Sequence, residues 1–154
     1  MTFLYDLIHN FPLVSAFLAI LLAQFVKVPI LFFTKGVWNI RLGLSTGGMP
    51  SSHSAAVTSL STAIAIEEGL ASTAFAIAVV FSAITMFDAQ GIRRHAGIHA
   101  SLINRLMTAK DRVETDGYVH KTLKELLGHR PIEVLAGAVF GIVVSLLYYL
   151  IIIR

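Results

Sequence analysis

The 154-residue chain lacks cysteine altogether, has one tryptophan and four prolines, and is poor in charge, with 14% Asp, Glu, Lys and Arg. Without thiols it forms neither a disulfide nor a thiolate metal site, and cysteine usage says nothing of its redox compartment. Charge this sparse lies outside the balance of a soluble domain. The opening MTFLYDLIHN contains Asp6 but no Lys or Arg, and no small-residue cleavage site closes a short apolar core. A cleavable signal peptide is therefore not expected, and the first apolar run should be retained. No repeat, linker or low-complexity tract divides the chain, so residues 1–154 read as a single membrane domain. The lack of an inverted repeat argues against a transporter.

What is present is apolar: 56% of residues are hydrophobic and the mean hydropathy is +0.77. A helix needs about 20 mostly apolar residues to cross a bilayer core. Four runs are candidates: Phe11 to Phe33, Pro50 to Ile66, Leu70 to Phe87 and Pro131 to Ile153. The second is short, and its serines and threonines must bond within their own helix or to a neighbour. The expected fold is all-α, an integral membrane bundle of about four transmembrane helices. Between the third and fourth lies DAQGIRRHAGIHASLINRL, where Ile92, His95, Ile98, Leu102 and Leu106 form a helical stripe expected at the membrane interface. Gly137, Gly141 and Ser145 recur every four residues, as small residues do where membrane helices approach closely.

Four spans put residues 34–49 and 88–130 on one side. That side holds Lys35, Arg41, Arg93, Arg94, Arg105, Lys110, Arg112, Lys121, Lys124 and Arg130, ten of the twelve basic residues. By the positive-inside rule it is cytoplasmic. The same cations would also serve to bind an anion there.

Two helix starts fall on that side. In GGMPSSHSAAV, Pro50 fits a first helical turn, where its missing N–H costs nothing. The amides around Ser51 and Ser52 would then face a phosphate-like anion, and Gly47 and Gly48 permit close backbone approach. His53 follows. The bland reading, serines that cap a helix and a histidine that packs, is the better one for a single histidine. GHRPIEVLAG repeats the arrangement of glycine, histidine, basic residue and proline, which shifts the balance. There His129 and Glu133 stand four apart, so a carboxylate can fix the tautomer of a nucleophilic imidazole. Glu133 would equally stabilise the helix terminus. Arg93 and Arg94 offer forked cationic donors to phosphate, or serve as membrane anchors. Lys27, ionisable within an apolar run, is a candidate phosphate ligand.

These motifs resemble the type 2 phosphatidic acid phosphatase and vanadium haloperoxidase superfamily, in its short, divergent bacterial and plant branch. GGMPSSHSA is similar to the superfamily's P-S-G-H motif, GHRPIEVLAGAVFG to the end of its third motif, and DAQGIRRHAG looks like a signature of the divergent branch. The resemblance implies phosphoester hydrolysis through a phosphohistidine, with His129 as nucleophile, Glu133 orienting it and His53 as general acid. Ser51 and the neighbouring amides, with Ser52 and Gly48, would hold phosphate oxygens, and no metal or other cofactor is implied. The motifs assign no cation, so Lys27, or Lys35 with Arg41, are approximate substitutes for the first motif, and Arg93, Arg94, Lys124 or Arg130 are candidates for the remaining charge. Ser52 departs from the usual glycine and Glu133 from the usual aspartate. The first motif's lysine and Arg-Pro pair is absent as such, and Thr122 and Leu123 stand where Ser-Arg normally precedes the nucleophile.

The leading expectation is a membrane phosphatase of lipid-linked phosphates or diphosphates. The alternative is a non-catalytic protein that binds phosphorylated lipid headgroups or scaffolds partners. The bacterial plasma membrane is the expected location, with the polar site on its cytoplasmic side. Expected partners are membrane lipids and a phosphorylated lipid, with no nucleic acid. A homodimer joined through the glycine stripe would thicken the core.

Overall fold

The computed structural model describes residues 2–36, 48–110, 123 and 128–153. The elements are α1 (Thr2–His9), α2 (Phe11–Lys35), α3 (Ser52–Glu68), α4 (Thr73–Gln90), α5 (Ile92–Lys110) and α6 (Pro131–Tyr148), with a π-helical turn over Tyr149–Ile153. No strand occurs among the described residues, and the all-α class holds. Short polar residues start α2, α3 and α4. Asn10 caps α2 by accepting from the Leu13 amide (2.9 Å), and Ser72 caps α4 by accepting from Phe75 (3.1 Å). Gly36, at φ 65°, closes α2 in the left-handed conformation that glycine adopts freely. The short α1, which lies before the first expected span, is joined to α2 through Asn10 and stacks Tyr5 on His9.

Among the described residues, three stretches are long and apolar enough to cross a membrane: Phe11–Thr34, Thr73–Met107 and Pro131–Ile152. The 17-residue α3, expected as a fourth span, is not among them. It is the hub of the bundle, packing against α2, α4 and α6. Its partners reveal the directions. Ser59 meets Ser15 of α2 (2.8 Å) while Ser52 meets Gln24, so α2 and α3 are antiparallel. Ser82 of α4 bonds Ser61 (2.9 Å) and the Val57 carbonyl (2.9 Å). Thr58 donates to the Ala138 carbonyl of α6 (2.9 Å).

The burial pattern inverts that of a water-soluble bundle. Ser15, Ser54, Ser59, Ser82 and Ser145 are buried, while Phe17, Phe25, Ile77, Phe81, Val139 and Leu147 face outward. This suits a lipid surround, in which helices associate through small residues and hydroxyl bonds because the bilayer offers no hydrophobic drive between them.

The Gly137–Gly141 stripe is spent inside the chain. A methyl group at Gly137 would strike the Ser51 carbonyl, and one at Gly141 the Ala55 carbonyl and the Thr58 hydroxyl. The expected dimer through this stripe is thereby corrected: the surface is already occupied by α3. Observed boundaries differ from the expected spans by a few residues, because Ser51 and Ser72, and not the first apolar residue, start α3 and α4.

Candidate functional site

The start of α3 and the start of α6 are joined directly. The Ser51 amide donates to the Glu133 carbonyl at 3.0 Å, and Gly137, lacking a side chain, lets the Ser51 backbone lie against α6. The end of α4 closes on the same point, since the His129 amide donates to the Ala89 carbonyl at 2.9 Å. Three segments far apart in sequence thus meet around His129.

His129 is 3% exposed, and its Nδ1 lies 2.9 Å from Glu133 Oε2. The same carboxylate oxygen accepts from the Arg130 amide (3.2 Å), so Glu133 caps α6 and holds the imidazole together. The helix begins at Pro131, two residues after His129, so the pair does not depend on a continuous helical turn. Extended backbone at Arg130 (φ −73°, ψ 150°) carries His129 alongside the first turn instead. With Nδ1–H donating to the carboxylate, the other ring nitrogen, Nε2, keeps its lone pair.

Lys27 is 5% exposed on α2, close enough to Glu133 for their charges to attract. A buried ammonium in a membrane bundle requires such compensation. One turn earlier, Gln24 Nε2 reaches Ser52 Oγ at 3.4 Å, while Gln24 Oε1 is enclosed with no partner. Gln24 escaped the sequence reading, although a polar residue three positions before Lys27 in an apolar run was the available signal.

Other expected residues are placed less uniformly. Ser51 is the cap of α3: its hydroxyl accepts from the Ser54 amide (3.4 Å) and its own N–H is taken by Glu133. Pro50 therefore precedes the cap and does not occupy the first helical turn, a correction to the expected helix start. Ser52 is buried at the first helical position, and His53 follows it, exposed, on the same first turn. Gly48 has φ +91°, a conformation that favours glycine. Arg130, exposed, forms the cap position of α6. Arg94 is exposed on α5, and no bond ties it to the His129–Glu133 pair. For Arg93 only the backbone on α5 is described, and Arg41 lies outside the described residues.

A second unforeseen contact lies upstream of His129. The Asn104 side chain on α5 both accepts from the Leu123 amide and donates to the Leu123 carbonyl, each at 2.9 Å. It ties α5 to Leu123.

An all-helical integral membrane protein is thus defined, with a buried His–Glu pair at the joined starts of two bundle helices. The chain belongs to the divergent PAP2 family, which matches residues 8–144. It is similar to the uncharacterized membrane protein YuiD of Bacillus subtilis (strain 168), with 49% identity over 150 residues, covering 92% of this chain and 95% of the relative. No solved structure matches.

Proposed function

We propose that the protein is a phosphatase of lipid-linked phosphate or diphosphate, working through a phosphohistidine at His129. The observation that carries this reading is the 2.9 Å Nδ1–Oε2 contact within a buried junction of two helix starts. Membership of the divergent PAP2 family supports it.

In the first step the Nε2 lone pair of His129 attacks phosphorus and the bond to the leaving oxygen breaks. His53 gives that oxygen a proton. The phosphorylated ring, still carrying Nδ1–H, is cationic, and the Glu133 carboxylate stabilises it. In the second step water attacks phosphorus, passes its proton to His53, and the P–N bond breaks to restore Nε2 and release phosphate. Lys27 and the basic residues Arg94, Arg130, Arg93 and Arg41 supply positive charge for the five-coordinate transition state, so no metal is needed. Because Ser51 spends its hydroxyl and amide on the helix start, it frames the site, and phosphate contacts fall to Ser52 and the backbone around Gly48.

The apolar outer faces of α2, α4 and α6 suit a substrate whose tail stays among acyl chains while its headgroup enters the polar end. The site is assigned to the cytoplasmic face of a bacterial plasma membrane. Purified protein is expected to release inorganic phosphate from lipid phosphates in the presence of a chelator, and His129→Ala to abolish release. Undiminished turnover in His129→Ala sinks the mechanism. Saturable binding of the lipids with no turnover in the wild type establishes the headgroup-binding alternative.

A further inference from the structure

Among the described residues at this junction, Gln24 and Ser54 each keep a buried side-chain oxygen without a partner, and of the two only Gln24 is already bonded through its other polar atom. Its Nε2 faces Ser52 Oγ at 3.4 Å, and its Oε1 is buried without a partner among the described residues. A buried amide oxygen without a donor is costly, and such groups are rare unless a ligand completes them. The flanking groups show what kind of ligand that is. Ala23 and Lys27, its neighbours on α2, are buried; Lys27 brings positive charge toward Glu133, and Ser52 lies beside Ser51, whose amide is bonded to Glu133.

We infer that Gln24 is a phosphate-orienting residue of this site, contacting the bound phosphoryl group directly through its amide. The inference rests on the phosphate-site reading above. A carboxamide is bifacial, and half a turn about its last torsion exchanges oxygen and nitrogen without moving the rest of the side chain. Ser52 hydroxyl can accept from Nε2 or donate to Oε1. When it donates to Oε1, the two N–H groups of Gln24 are released toward an anionic oxygen. In that orientation a bound anion completes the amide on its second side. A carboxylate in its place would repel that anion, and an alkyl group would leave it uncontacted.

The test uses the full-length chain in lipid nanodiscs and inorganic phosphate as the probe, with binding followed by calorimetry. Gln24→Leu is expected to weaken phosphate binding by about tenfold, the usual loss for a hydrogen bond to a charged group. Gln24→Glu, nearly isosteric, is expected to weaken it further. The decisive comparison repeats Gln24→Leu in a Ser52→Ala background. If Gln24 merely props Ser52, its substitution has no further effect there; if it contacts phosphate, the loss persists. Unchanged affinity in both Gln24 variants, or loss of the effect in the Ser52→Ala background, overturns the inference while leaving the site reading intact. Failure of the wild type to bind phosphate removes the site reading and this inference with it. Should Gln24→Leu not fold, judged by its melting profile, the isosteric Gln24→Glu decides alone, with wild-type affinity as the overturning result.

Discussion

At the scale of single residues, Glu133 carries two duties on one oxygen, accepting from His129 Nδ1 and from the Arg130 amide. The two duties separate by substitution. Glu133→Gln keeps an acceptor for both donors but removes the negative charge that stabilises a cationic phosphorylated ring. Turnover is expected to fall on the order of 10²-fold or more, in the range of a lost acid–base partner, while the melting temperature changes little. Glu133→Ala removes the acceptor as well, freeing the imidazole and uncapping α6, so both turnover and melting temperature fall. Phosphate release and thermal melting of the two variants check this. Equal turnover in Glu133→Gln and wild type would show that the carboxylate only caps the helix.

At the scale of elements, the site depends on how closely α6 approaches α3, and that approach is set by two glycines. A methyl at Gly141 meets the Ala55 backbone carbonyl, an obstacle that no rotamer change relieves. Gly141→Ala is expected to cost about 1–3 kcal/mol, typical of overpacking, and to appear as a lowered melting temperature. Gly137→Ala presses on the Ser51 backbone itself, so it is expected to cost turnover as well by disturbing the Ser51–Glu133 bond. A melting curve for Gly141→Ala matching the wild type would mean that the helices separate without penalty. The same glycines show what the sequence could and could not disclose. Their four-residue spacing announces a close helix contact, but spacing cannot tell a neighbour in the same chain from a second copy. The His129–Glu133 pair was legible because both partners lie within five residues. The bonds from Ser51 to Glu133 and from His129 to Ala89 were not, because each joins positions dozens of residues apart through backbone atoms that no side-chain pattern encodes. Pro50 was misplaced for a local reason: proline favours a first helical turn, but the hydroxyl able to cap belongs to the residue after it, Ser51, and the helix starts there.

At the scale of the whole molecule, α2 and α4 run one way and α3 and α6 the other, so the His129 junction, α5 and its basic residues gather at one end. The turn between α3 and α4 lies at the opposite end, beside Glu67 and Glu68. The positive-inside rule supports the proposal that the junction end is cytoplasmic. An anion site would collect the same cations on either face, so charge counting and orientation must be separated by direct labelling. The absence of native cysteine makes this clean, because any introduced thiol is the sole target. Ala71→Cys, exposed in the α3–α4 turn, is expected to react with a membrane-impermeant maleimide on intact cells. Arg105→Cys, exposed on α5, is expected to react only after permeabilisation. The reverse pattern would put the junction on the outer face, so that the phosphorylated headgroup would have to be presented from the outer leaflet and the basic cluster would be accounted for by anion binding alone.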